Sequence, residues 1–77
     1  MNDKFLIIIN QVLQNAGKKP IKQITGNELL RDDFGFDSLQ LAELTVRTEE
    51  AFGIDIFEDG IKNTVNEVLE ILKNNEK

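Results

Sequence analysis

From Phe5 onward the apolar residues fall at Phe5, Ile8, Ile9, Val12, Leu13 and Ala16. That is the i, i+3, i+4, i+7 spacing of an amphipathic helix. Asn2 or Asp3 can cap its start, and Gly17 stands where a left-handed residue would end it. The stripe then dissolves. Residues 18–36 contain Lys18-Lys19-Pro20, Thr25-Gly26-Asn27 and Gly35, all breakers or turn formers. Ile21, Ile24, Leu29, Leu30 and Phe34 are scattered among them without helical spacing, which predicts a long loop pinned to the core by those side chains. A structureless loop of about twenty residues is unusual in a small domain and usually means function.

A second helix is expected from Asp37-Ser38. Asp37 is a good N-cap, and Gln40 stands three residues on, as in a capping box. Leu41, Leu44, Ala51 and Phe52 mark its inward face, with Thr45 and Thr48 between them, and Gly53 stops it. Ile54 and Ile56 open a connecting piece with one further helical turn expected between Phe57 and Lys62. Thr64-Val65-Asn66-Glu67 forms another capping box, followed by the stripe Val65, Val68, Leu69 and Leu72. Nothing alternates with period two for long, so no sheet is predicted. The fold class is all-α: a small four-helix bundle with three main helices, a short third helix and a long loop between helices 1 and 2.

Composition narrows the functions such a bundle can have. The 77 residues make one thin domain, with roughly 3–5 kcal/mol of stability to be expected and little material for a pocket beside the core. There is no cysteine, hence no disulfide and no thiolate metal site, and no histidine to act as general base or ligand near neutral pH. No catalytic residues and no metal site are assigned; Asp55, Glu58 and Asp59 lack the spacing of a calcium loop. The apolar run Phe5–Ile9 is too short for a membrane span, so a cytoplasmic protein is the default.

The formal charge of −5 is unevenly spread. Residues 1–27 set Asp3 against four lysines, residues 28–59 hold ten acids against Arg31 and Arg47, and residues 60–77 balance. An acidic middle disfavours nucleic acid and anionic membrane and attracts a basic protein surface.

The candidate chemistry lies in Gly35-Phe36-Asp37-Ser38-Leu39-Gln40-Leu41. A serine in the first turn of a helix, straight after the longest loop, is a good place to hang a phosphodiester, because unpaired N–H groups and the positive helix end favour a phosphate. Asp37 beside it adds negative charge, offset by its capping bonds. An Asp-Ser pair at a helix start needs no function by itself. Asp37-Ser38-Leu39 nevertheless resembles the Asp-Ser-Leu attachment motif of acyl carrier proteins. The likeness continues through Gly35, Glu43-Leu44, Glu49-Glu50, Phe52-Gly53-Ile54, Ile56 and Thr64-Val65, and covers the chain in length and element order.

The resemblance implies a single acyl carrier domain over residues 1–77, monomeric and without catalysis of its own. A phosphopantetheinyl transferase would esterify Ser38 with 4′-phosphopantetheine from coenzyme A, with Asp37 and Leu39 flanking the cofactor. The arm would carry acyl groups as thioesters between enzymes of fatty acid, polyketide or specialised pathways. Partners would be that transferase and an acyl-loading enzyme, ketosynthase or acyltransferase with a basic docking surface. Asp37, Leu39, Gln40, Glu43, Val46, Arg47 and Glu50 would meet them; Leu39, Glu43, Val46 and Glu50 fall on one outward stripe. An acyl-chain cavity would involve Leu30, Leu41, Leu44, Thr45, Thr48, Phe52, Ile56 and Val68.

The departures from the family pattern are informative. Thr45 and Thr48 stand where the family usually has aliphatic residues, and are expected to bond back to helix carbonyls; a cavity for short or polar cargo is the sharper alternative. Phe57 replaces a common proline, and the stretch from Ile56 to Thr64 is short, so a truncated or distorted third helix is expected. Arg47 interrupts an acidic helix. Two other readings stay open: an aminoacyl or peptidyl carrier, which usually has paired glycines before the serine, and a helical adaptor whose Ser38 is never modified.

Overall fold

A computed structural model of the chain describes residues 2–58, 60 and 62–74. Three helices are formed among them: α1 (Asn2–Asn15), α2 (Ser38–Phe52) and α3 (Val65–Asn74). The apolar stripe of α1 is buried as its spacing requires, with Phe5, Ile9 and Val12 fully enclosed. They cluster with Leu44 of α2, Val65, Val68 and Leu72 of α3, and Leu30 and Ile56 from the connections, and Thr48 of α2 is buried as well. α1 starts at Asn2, so Asp3 lies in its first turn rather than at the cap; the Asn2 side chain is outside the described residues. The chain leaves α1 through Gly17 at φ 76°.

The short helix expected between Phe57 and Lys62 is not formed among the described residues. Residues 56–58 make a turn instead. The Asp55 carboxylate accepts the Phe57 N–H at 3.0 Å, and Gly60 at φ 129° turns the chain away from helical geometry. Asp59 and Ile61 lie outside the described residues.

The long loop is held by more than its apolar side chains. Leu30, Phe34 and Phe36 are buried, with the two phenylalanine rings 5.4 Å apart, but Leu29 is exposed. Its main-chain anchor is a row of backbone bonds to the start of α3. Leu30 donates to the Asn63 carbonyl at 2.8 Å, Val65 to Glu28 at 3.0 Å and Asn66 to Gly26 at 2.9 Å. An isolated antiparallel bridge pairs Leu29 with Thr64, and no strand forms among the described residues. Gly26 is buried at φ 106°, and a Cβ there would collide with the Asn66 side chain. The Glu28 carboxylate closes the turn by accepting the Thr25 and Gly26 N–H groups at 2.7 and 2.8 Å. Burial pushes the Glu28 carboxyl up, but these donors outweigh it and hold the group below its ordinary range.

Two polar side chains of the first third fasten the loop at its other end. Asn10 grips Ile21 by both backbone groups, at 2.9 and 2.8 Å. The Lys18 ammonium donates to the carbonyls of Phe34 and Gly35, each at 2.8 Å. No helix among the described residues is long and apolar enough to cross a membrane.

Candidate functional site

Ser38 is the first residue of α2, and its side chain is exposed. Two devices set where it points. Upstream, Lys18 holds the carbonyls of Phe34 and Gly35, Gly35 turns the chain at φ 68°, and Phe36 is buried as an anchor. Downstream, Asp37 adopts an extended conformation and caps α2: its Oδ1 accepts the N–H groups of Leu39 and Gln40 at 2.9 and 3.1 Å. Gln40 Oε1 returns the bond, accepting the Asp37 N–H at 3.0 Å. The expected capping box is therefore present in full.

That box changes the electrostatic argument for a phosphate. Two of the amides at the helix mouth are already engaged by Asp37, so the orphan N–H groups anticipated from the sequence are partly used up. The Ser38 hydroxyl is free of hydrogen bonds within the described residues and open to solvent. A nucleophilic hydroxyl that is anchored through its backbone yet unengaged suits covalent derivatisation.

The outward face of α2 is more uneven than its stripe suggests. Leu39 and Val46 are 73% and 56% exposed, and Glu50 is open to solvent, as are Asp37 and Glu49. Glu43 is half-buried: its Oε2 accepts from Arg47 Nε at 2.8 Å and from Asn15 Nδ2 at 2.8 Å. At about 100° per residue Glu43 lies roughly 40° round the helix from Leu39, enough to lean it towards the end of α1. The Arg47 guanidinium and the Asn15 amide hold its carboxyl below the ordinary range. Arg47 also reaches Gln11 at 3.3 Å, so its charge is spent within the domain. An apolar residue that the spacing did not single out, Ile7 of α1, is 58% exposed beside Arg47 and Glu50 in a groove of about 350 Å³. Its signal was present: Ile7 falls off the stripe of Phe5, Ile8, Ile9 and Val12.

Beside Ser38 a second cleft of about 190 Å³ is lined by Arg31, Leu41, Ala42, Thr45 and Phe57. Of the eight residues expected to surround an acyl chain, Leu41 and Thr45 border this cleft. Leu30, Leu44, Thr48, Ile56 and Val68 are packed in the core, no more than 1% exposed, and Phe52 is half-buried with the Lys4 ammonium 5.1 Å from its ring centre. Thr45 and Thr48 both bond back along the helix, to the carbonyls of Leu41 and Leu44 at 2.8 and 2.7 Å. Thr48 is thus a satisfied polar group in a closed core. Arg31, Ala42 and Phe57 were not anticipated; they come into the wall through the fold of the loops. Among the described residues no group of three or more carboxylates could hold a metal ion, and Asp59 of the weak calcium pattern lies outside them.

A small helical domain that presents one unengaged serine at the mouth of an acid-rich helix has the design of a carrier for a tethered group. The comparisons with known proteins agree. Residues 7–72 match the family model described as the phosphopantetheine attachment site. The chain is 42% identical over 68 residues to an acyl carrier protein of Desulforapulum autotrophicum, covering 86% of this chain and 84% of that protein. It is 35% identical over 68 residues to one of Rhodopseudomonas palustris, with 86% and 85% covered. It is 37% identical over 65 residues to one of Saccharopolyspora erythraea, with 82% and 68% covered. No solved structure matches the chain. The chain belongs to the acyl carrier protein family, and with it comes a covalently attached 4′-phosphopantetheine group. That group supplies the thiol that a chain without cysteine lacks.

Proposed function

We propose that Ser38 is the attachment residue and that the protein shuttles acyl intermediates, as thioesters, between enzymes of a fatty acid, polyketide or specialised acyl-transfer pathway. The observation that carries this reading is the exposed, unengaged Ser38 hydroxyl at the first position of α2. In the loading step the Ser38 Oγ would give its proton to the transferase and form an ester bond to the pantetheine-bearing phosphorus as the pyrophosphate bond of coenzyme A breaks and 3′,5′-adenosine diphosphate leaves. The domain itself then binds and presents; it is a non-catalytic, cytoplasmic, monomeric carrier whose residues 1–77 act as one unit.

Docking falls to the exposed part of α2: Asp37, Leu39, Val46 and Glu50, joined at its margin by Gln40 and by the Glu43–Arg47 pair. Two apolar knobs between acids fit a basic, partly apolar patch on a phosphopantetheinyl transferase or an acyl-handling enzyme, and rim charges speed encounter more than they prolong it.

Mass spectrometry after incubation with coenzyme A and a promiscuous phosphopantetheinyl transferase tests the assignment. One arm is gained, located at Ser38, and Ser38→Ala gains none. A folded protein that stays unmodified under conditions that load other carriers points instead to an adaptor.

A further inference from the structure

The charges around Ser38 do not balance once a phosphodiester is attached there. Asp37 already occupies the amides of Leu39 and Gln40, so the helix mouth has fewer donors for a second anion, and Asp37 itself lies next to it. Two other cations of the fold are committed elsewhere: Lys18 to the carbonyls of Phe34 and Gly35, and Arg47 to Glu43. Arg31 is different. It is exposed, makes no ion pair or hydrogen bond within the described residues, and borders the same cleft as Ser38. It also borders a neighbouring depression with Leu29, Asp32 and Asn63, yet does not pair with Asp32.

We infer that Arg31 is a positioning residue for the prosthetic group: its guanidinium pairs with the phosphodiester on Ser38 and lays the arm over the cleft floored by Leu41, Ala42, Thr45 and Phe57. This rests on attachment at Ser38. A guanidinium presents a planar fork of donors matched to two phosphate oxygens, whereas an ammonium offers only a point charge. An engineered apolar cavity of about 150 Å³ takes one benzene-sized molecule. At about 190 Å³ the cleft therefore accommodates part of an arm or a short group, and a long chain would have to open the core.

The test compares the unmodified and phosphopantetheinylated full chain by NMR, with complete modification first verified by mass. The Arg31 Nε–H signal is expected to move on modification and to return towards its original position as salt rises, because an exposed pair is screened. In Arg31→Gln the phosphorus relaxation should report a freer arm, with the paired population falling roughly two- to fivefold, as befits a surface ion pair. Arg31→Lys should restore part of it. Failure to modify Ser38 removes the attachment reading and this inference together. Complete modification with an unmoved Arg31 signal overturns the inference alone. So does a signal that moves only when a carboxylate-bearing acyl group is loaded, since Arg31 would then serve the cargo rather than the arm.

Discussion

Replacing Asp37 separates the two roles its position implies. Its carboxylate satisfies two backbone donors of α2 and is answered by Gln40. Removing such a cap costs about 1 kcal/mol, with a range of roughly 0.5–2. In a domain expected to hold roughly 3–5 kcal/mol in all, that is a large fraction. With a urea slope of about 1 kcal/mol/M for a protein of this size, Asp37→Ala should lower the unfolding midpoint by about 1 M. Asp37→Asn keeps a side-chain oxygen at the cap and should lose only a few tenths of a kcal/mol, since Asn and Asp cap about equally well. Urea titration of all three proteins, monitored by circular dichroism, gives the comparison. Loading by the transferase is read in parallel. A slow Asp37→Asn protein of normal stability would assign the charge to recognition. After modification the penalty for Asp37→Asn should shrink, because a phosphodiester on Ser38 repels the carboxylate being removed. If Asp37→Ala unfolds within about 0.3 kcal/mol of the parent, below the range for a working cap, the capping argument for how Ser38 is positioned is wrong.

Gly26→Ala should cost about 1–3 kcal/mol in chemical denaturation, because the position combines positive φ with contact against Asn66. Glu28 and Glu43 both titrate below the ordinary 4.5 in the folded protein. Their contribution is therefore complete above that value and is lost as the pH falls through the folded-state values, so Glu43→Gln should flatten the acid limb of a stability–pH curve. A double-mutant cycle on Glu43 and Arg47 should return only about 0.3–0.5 kcal/mol, as for other i, i+4 pairs. Leu39→Ala should leave stability within about 0.5 kcal/mol. The same change should weaken binding to an acyl-handling partner by about 1 kcal/mol or more in calorimetry.

The helices were legible because each rests on a local rule. Phe5 to Leu13 and Val65 to Leu72 follow the period of a helix, and both capping boxes join residues three apart. The start of α2 at Ser38 was legible for the same reason, whereas Ser38 itself stood out through the likeness of Asp37-Ser38-Leu39 to the attachment motif of the family. The back-bonding of Thr45 and Thr48 was also one of the readings the sequence allowed. The short third helix expected near Phe57 is not formed among the described residues, where Asp55 and Gly60 favour a turn, in keeping with the truncation expected there. What the sequence hid was long-range and polar. Nothing local tells that Asn10 will grip Ile21, that Lys18 will cross to Phe34 and Gly35, or that Arg31 will border the same cleft as Ser38. Such contacts depend on which segments the core brings together. Glu43 shows a finer limit: helical angle put it near the outward stripe, but Asn15 and Arg47 decided where its carboxylate went.

The row of backbone bonds between residues 26–30 and 63–66 also governs how the domain can breathe. It makes the loop and the head of α3 one mechanical piece, whereas the wall of the cleft formed by Leu41, Ala42 and Thr45 rides on α2. Arg31, which also borders the cleft, directly follows that stitched segment. Widening the cleft by moving Arg31 would therefore pull on the start of α3 through those bonds. A guest too large for the resting opening would be felt at Thr64 and Val65, far along the chain from the serine that tethers it.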